Sequence, residues 1–289
     1  MISRIHHLNC GTMCPACQCL INGHGSWRQP GQLVCHCLLL ETGEGLVLVD
    51  TGLGSHDLDA PRQRLGREYL TLFRPALARE ETAIAQVRAL GHDPRDVRHI
   101  ITTHLDLDHA GGLADFPHAA VHVLAPELRQ ILQPTLRDRL RFRSAQFDHK
   151  PRWVMHERPD QRWFGFEALR VLPALGDHLL MVPLIGHTKG HVGVAVREND
   201  GWLLHCGDAY YHHSQISQAP AMPKGLALFE QAVQTYPRQR RQNLDRLRAL
   251  AHDHGDAVTL FCAHDPVELA RSLTPPSAAS PPRPAAPGR

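Results

Sequence analysis

The chain has no apolar run of membrane-spanning length and no lysine-rich tract, and its formal net charge is only +2 over 289 residues. The first absence leaves no candidate for a membrane-spanning helix. The second leaves nucleic-acid binding without electrostatic support beyond local arginine clusters. The segment Met1–Gly11 lacks the long apolar core of a secretory signal, so the expectation is a cytoplasmic enzyme acting on a small molecule, with no membrane or nucleic-acid partner. A homodimer stays open. Cysteine is present but not arranged as a zinc ribbon: Cys10, Cys14, Cys17 and Cys19 crowd the start, and no second well-spaced pair follows. Cys14 and Cys17 could hold a structural zinc or form a disulfide, although reduced thiols are the default without a signal peptide. Cys35, Cys37, Cys206 and Cys262 lie in or beside apolar strands, as small buried hydrophobes do.

Histidine, by contrast, is abundant, with 22 residues, and 43% of the chain is hydrophobic, enough for an ample core. The most informative stretch is Ile101–Gly112, ITTHLDLDHAGG, which places His104, Asp106, Asp108 and His109 within six residues directly after a β-branched apolar run. On an extended chain, residues two apart share a side, so His104, Asp106 and Asp108 can converge while Leu105 and Leu107 pack the other way. His109 then points elsewhere, a split that can serve two metal ions. Gly111 and Gly112 allow the backbone to turn tightly and pass close to an ion. A polar turn that merely happens to be rich in His and Asp is the plain alternative.

Short apolar runs at Val97–Thr103, Leu179–Ile185, Trp202–Cys206 and Val258–Cys262 read as strands, and each ends just before His104, His187, Asp208 or His264. Ligands that always follow a strand end can be gathered into one cleft at a sheet edge. Leu33–Leu40 and Leu46–Asp50 read as a hairpin or adjacent strands, Glu80–Leu90 as a helix with Ala83, Val87 and Leu90 inward, and Val121–Leu124 as a strand. Helices are expected from Pro126 to Leu132, from Leu136 to about Phe147, and over Arg238–His254 with Leu244, Leu247 and Leu250 facing inward.

Residues 126–166 look like an insertion. They combine Arg137, Arg139, Arg141, Arg143 and Arg152 with Phe142, Phe147, Trp153, Trp163, Phe164 and Phe166. One reading is a lid whose aromatics grip an apolar group while an arginine meets an anion; another is an amphipathic cover or dimer contact with solvated arginines. The proline-rich tail 274–289 is expected to be disordered, leaving residues 1–273 as one domain.

His104-Leu-Asp106-Leu-Asp108-His109 resembles the His-x-His-x-Asp-His signature of the metallo-β-lactamase-fold hydrolases, with aspartate in place of the second histidine. Val49-Asp50-Thr51-Gly52, Gly186-His187-Thr188-Lys189-Gly190-His191, Cys206-Gly207-Asp208 and Ala263-His264-Asp265 match its other landmarks in order. The resemblance implies an α/β, four-layer αβ/βα sandwich with the metal site at one edge of its two sheets. It implies one metal at His104, Asp106 and His187, a second at Asp108, His109 and His264, and Asp208 bridging both. Asp50 would orient the metal loops from beneath, and His191 would stand behind the ligands.

Two divalent ions there, Zn²⁺ by the base rate, would generate hydroxide near neutral pH and polarise a substrate oxygen, with Asp108 accepting or orienting the proton. The carboxylate of Asp106 raises the preference for Mn²⁺ or Fe²⁺. Within the superfamily the chain looks most like N-acyl-homoserine lactonases, through Leu46–Leu53, Asp106–Leu113 and Asp208-Ala-Tyr-Tyr211; Tyr211 would hydrogen-bond the lactone carbonyl. A glyoxalase II-like thioester hydrolase and a one-iron persulfide dioxygenase-like oxidoreductase are the alternatives.

Overall fold

The computed structural model describes residues 1–199, 201–217 and 221–274. The expected disordered tail lies outside these residues, apart from Thr274. Among the described residues there are twelve strands: β1 (Ile2–Met13), β2 (Leu33–Thr42), β3 (Gly45–Val49), β4 (Val97–Ile101), β5 (Ala120–Leu124), β6 (Arg152–His156), β7 (Gln161–Trp163), β8 (Phe166–Arg170), β9 (Leu179–Pro183), β10 (Val192–Glu198), β11 (Gly201–His205) and β12 (Val258–Phe261). They form two mixed six-stranded sheets, ordered β1-β2-β3-β4-β5-β6 and β12-β11-β10-β9-β8-β7. Strands β3 to β6 run parallel, β1 to β3 antiparallel.

The continuous apolar runs follow from burial on both faces of each sheet. Leu38, Leu40, Val47, Val49 and Ile101 point toward Met181, Val192, Val194 and Phe261 of the opposite sheet. Their neighbours Leu39, Leu48, Ile100 and Val121 turn outward onto Ala83, Val87 and Leu128 of the covering helices. On the far side Leu180, Val182, Ala195 and Leu204 pack against Leu244, Leu247 and Leu250 of helix Pro237–His254. Three apolar layers between four layers of secondary structure result, which is the αβ/βα sandwich. Among the described residues no helix is long and apolar enough to cross a membrane.

Several local expectations shift. The helix expected over Glu80–Leu90 is a 3-10 turn followed by Ala83–Ala89, because the Thr82 side chain caps it. Leu90, expected on the inward face, is exposed at the C-cap. The helix from Leu136 stops at Arg141: Phe142 turns extended and buries its ring in the first core. Residues 126–166, read as an insertion, divide in the structure. β6 and β7 are the edge strands of the two sheets, while the helices Ala125–Leu132 and Leu136–Arg141, with Arg143 and Gln146 just after them, reach the site. β1 had no clear sequence signal, since only its late residues are buried.

One buried carboxyl group supplies a stability test. Glu268, in helix Pro266–Leu273, accepts the amide of Cys262 at 2.8 Å and the hydroxyl of Tyr210 at 3.0 Å. Burial, with Asp265 nearby, raises its pKa from the ordinary 4.5 to about 7. Between those values the folded protein keeps a proton that the unfolded chain releases, so stability falls as pH rises through that window. Glu268→Gln removes this loss while keeping an acceptor for Cys262. Its unfolding free energy relative to the parent should rise by on the order of 1–3 kcal/mol between pH 5 and pH 8 in denaturant titrations; a flat difference would rule the mechanism out.

Candidate metal centre

The site forms where β3, β4, β9 and β12 end on one side of the sandwich, with Asp208 three residues past the end of β11. Asp50 follows β3 in the left-handed region at φ 56°, a conformation aspartate tolerates better than most residues. Its buried carboxylate accepts the Thr103 amide and the Thr103 hydroxyl, both at 2.7 Å, and the ring of His109 at 2.8 Å through Nδ1. Thr103 thereby receives the Nδ1–H of His104 at 3.0 Å. One carboxylate so sets both imidazoles with Nε2 bare and aimed into the cleft.

The metal loop itself is not extended throughout. Asp106 is extended (φ −68°, ψ 161°) and precedes a single helical turn, Leu107–Ala110. That turn, rather than strand alternation, swings Asp108 and His109 away from His104 and Asp106. Gly111 and Gly112 pass close to backbone, since a Cβ at Gly111 would meet Asp57 Oδ2 at 2.1 Å and one at Gly112 would meet Thr51 O at 2.9 Å. Their smallness serves the packing of the loop at residues 51–57.

Two donor groups result. In the first, His187 Nε2 lies 3.0 Å from Asp106 Oδ2 and 3.3 Å from Asp208 Oδ2, while His104 Nε2 lies 3.3 Å from Asp106 Oδ2 and 3.8 Å from Asp208 Oδ2. In the second, His109 Nε2 and His264 Nε2 are 3.2 Å apart and lie 3.3 and 3.1 Å from Asp208 Oδ1. Asp108 Oδ2 joins at 3.7 Å from His264 Nε2. Bonds of 2.0–2.1 Å around a tetrahedral cation place donors about 3.3 Å apart, the spacing seen in both groups. Asp208 turns one oxygen to each group.

Tautomers strengthen the fit in the second group. His264 Nδ1 donates to Val34 O at 2.7 Å and His109 Nδ1 to Asp50, so two Nε2 lone pairs face each other and a carboxylate oxygen. Such a cluster calls for positive charge at its centre. Although burial opposes ionisation, Asp208 and its neighbouring carboxylates raise the pKa of both rings. His104 Nε2 and Asp208 Oδ1 are buried without hydrogen-bond partners, as donors meant for an ion would be. The residues therefore suit a divalent cation.

Three residues of the site make contacts that the sequence alone did not indicate. Glu127, fully buried, accepts the amides of Leu105 at 3.0 Å and Gly190 at 2.9 Å, tying the metal loop to the loop that carries His187; nothing in its sequence context singles it out. Arg141 points inward, and the anion it meets is Asp106, at 2.5 Å from Nε to Oδ1 and closer still from Nη2 to Oδ2. Opposed by burial, Arg141 and His104 together hold the Asp106 carboxyl well below the usual range. An acidic residue in a position that is otherwise histidine was the signal that a cation must be near. Tyr211 is buried, and its hydroxyl donates to Asp208 Oδ2 at 2.8 Å beside His187 Nδ1 at 3.2 Å. Both ring nitrogens of His191 are taken, by Leu184 O and by the Asp208 amide, so it stands behind the donors.

All eight cysteines are free. Cys35 is buried within reach of Asp108 and His264, whereas Cys14, Cys17 and Cys19 belong to none of the donor clusters among the described residues. Burial pushes the Cys35 thiol well up, with Asp108 adding to the effect, so it stays protonated.

Two mixed sheets between helices, with His and Asp groups converging at one end, are the architecture of a metallo-hydrolase. Residues 30–254 match the Metallo-beta-lactamase superfamily, and the chain belongs to it. It is similar to a probable metallo-hydrolase of Mycobacterium tuberculosis, 43% identical over 93% of this chain and 83% of the relative. It is 28% identical to an N-acyl homoserine lactonase of Bacillus cereus over 68% of this chain and 74% of that protein. Among solved structures, a B. thuringiensis AiiA variant with N-decanoyl-L-homoserine at its active site superposes with a TM-score of 0.69 at 20% identity, covering 95% of this chain and 97% of that one. The dizinc quorum-quenching lactonase AidC gives a TM-score of 0.60 at 15% identity, over 92% and 89%.

Asp50→Ala would strand the Thr103 amide and hydroxyl and the His109 Nδ1–H in a buried space. Denaturant unfolding should show a loss of about 2–4 kcal/mol, and competition with a metal buffer should show divalent-ion affinity lowered by about 10–100-fold. Unchanged metal affinity would mean that the rings keep their aim without this carboxylate.

Proposed function

We propose that this metallo-hydrolase opens a lactone or cleaves a related carboxylic ester, with N-acyl-homoserine lactones as the first candidates. The observation that carries the reading is a cavity of about 320 Å³ that meets the donor groups. Met13, Leu65, Leu72, Phe73, Phe229 and Val233 form an apolar wall, and Asp106, Asp108, His187, Asp208 and His264 form the floor. That combination suits an acyl chain lying on the wall with its ester carbonyl presented to the floor. The lactonase relatives support the same substrate class.

The second group, His109, Asp208, His264 and Asp108, would hold a divalent ion, and the first, His104, Asp106, His187 and Asp208, offers donors for another. Zn²⁺ suits the imidazoles, and the added carboxylate of Asp106 brings in Mn²⁺ or Fe²⁺. A bound divalent ion supplies polarisation of the substrate carbonyl and acidification of a water beside it. Asp108 lines the cavity with an oxygen free of any strong protein partner, and so can receive the proton from the attacking water and return it to the leaving alkoxide. The Tyr211 hydroxyl donates to Asp208, which supports a positioning role for that carboxylate beside the expected contact with a lactone carbonyl.

Purified protein assayed on lactones, thioesters and phosphoesters with Zn²⁺, Mn²⁺ or Fe²⁺ should turn over lactones, lose activity to a chelator and regain it with added metal. Thioester turnover alone, or oxygen uptake on persulfides with iron, would replace this reading with one of its rivals. Asp208→Ala should lower turnover by at least about 100-fold together with metal content.

Tyr211→Phe separates the two roles of that residue. As a positioning residue its loss lowers metal affinity by about 10-fold or more; a fall in kcat with affinity unchanged would return it to the carbonyl.

A further inference from the structure

We propose that the guanidinium of Arg141 takes the place of a cation in the first donor group, so that the resting protein holds a single divalent ion, in the second group. This rests on the reading of the centre as a metal site and departs from the expected pair of ions.

The geometry of Arg141 is that of a fitted component. It ends the helix Leu136–Arg141 and reaches inward, its side chain 16% exposed. A guanidinium has five N–H donors, and Arg141 finds five acceptors. Nε donates to Asp106 Oδ1 at 2.5 Å, and Nη2 donates to both Asp106 Oδ2 and His187 Nε2. Nη1 donates to His187 O at 3.1 Å and Val233 O at 2.7 Å. No donor remains for a substrate, which makes the group a fixed charge rather than a binding arm.

Two of its acceptors are the atoms a first ion would need. His187 Nδ1 lies beside the Tyr211 hydroxyl, whose own proton goes to Asp208. That relay leaves Nε2 as the ring's acceptor, and an imidazole nitrogen has one lone pair in the ring plane. It can accept from Arg141 or bind a cation, but not both. The Asp106 carboxylate keeps further lone pairs, but both of its oxygens already accept from the guanidinium. An ion entering between His104, Asp106, His187 and Asp208 would also meet the fixed positive charge of the guanidinium at close range, in surroundings with little water to screen it. By contrast, among the described residues no arginine or lysine hydrogen-bonds to Asp108, His109, Asp208 or His264, and the second group keeps its full donor set.

Asp106 explains why this arrangement is consistent. A histidine in that place would present no negative charge to an arginine, whereas the carboxylate binds the guanidinium bidentately. The aspartate and Arg141 therefore form one unit: the acid recruits the built-in cation, and the cation occupies the acid.

The test is metal stoichiometry by elemental analysis after equilibration at a fixed free Mn²⁺ or Zn²⁺ concentration, with folding checked by circular dichroism. The parent should retain about one ion per chain. Arg141→Met, which removes the charge but keeps the bulk, should retain about two, the added ion being bound at least about 10-fold more tightly than any second ion in the parent. Asp106→His is a second, independent variant: it releases Arg141 and restores an imidazole donor, and should also bind about two ions. With Mn²⁺, both variants should show the electron paramagnetic resonance signature of a coupled pair and the parent that of an isolated ion.

Two tightly held ions in the parent would overturn the inference while leaving the hydrolase reading intact. So would one ion in the parent and in both folded variants, because Arg141 would then not be what excludes the second. A parent that binds no ion and hydrolyses no ester would defeat the functional reading as well.

Discussion

The site depends on one buried carboxylate. Asp50 closes the end of β3 and takes three hydrogen bonds, from the amide and hydroxyl of Thr103 and from His109. Those bonds join the ends of two neighbouring parallel strands and, through Thr103, also determine which nitrogen of His104 is bare. Without such a hub each imidazole could rotate or exchange tautomers, and the close approach of His109 and His264 would be repulsive rather than preorganised. The two sheets bring the strand ends together; Asp50 turns proximity into aim.

A second constraint is charge. The centre gathers the carboxylates of Asp50, Asp106, Asp108 and Asp208 in a space where the rings of His104, His109, His187 and His264 are all buried. Burial of that much negative charge is tolerable only if cations balance it. The protein supplies one of its own in Arg141 at Asp106, and the remaining cluster, built around Asp208 Oδ1, has donors spaced to suit another. Glu127 restrains both loops at the first group by accepting an amide from each, so the balance is held in a rigid frame. The apolar wall of the cavity then borders a floor whose charge is already arranged.

Much of this was legible in the residues. The strand-end rule placed His104, His187, Asp208 and His264 correctly, because apolar runs buried on both faces are strong strand signals and their ends share one edge of the sandwich. The inward leucines of helix Pro237–His254 were readable from their spacing for the same reason. Less was legible where the signal was local and weak. β1 carries little apolar pattern and owes its place to long pairing with β2. The turn Leu107–Ala110 contradicts the alternation of its own residues, since the tertiary fit of the Gly111–Gly112 backbone against residues 51–57 prevails over a four-residue preference. Leu136–Arg141 ends early because burying Phe142 outweighs one more turn of helix.

By itself the sequence determined the sandwich, the superfamily and the kinds of atom available at the centre, since these follow from periodicity and from ligand types at strand ends. It also disclosed the anomaly at Asp106. Only the tertiary structure decided what that anomaly means. The contact between Asp106 and Arg141 spans 35 residues of sequence and depends on a helix reaching in from the cavity wall. The bond from Tyr211 to Asp208 is short in sequence but depends on a ring packed against His264. Hydrogen-bond direction, tautomer and the pairing of charges are properties of side chains brought together from distant positions, and no local pattern encodes them.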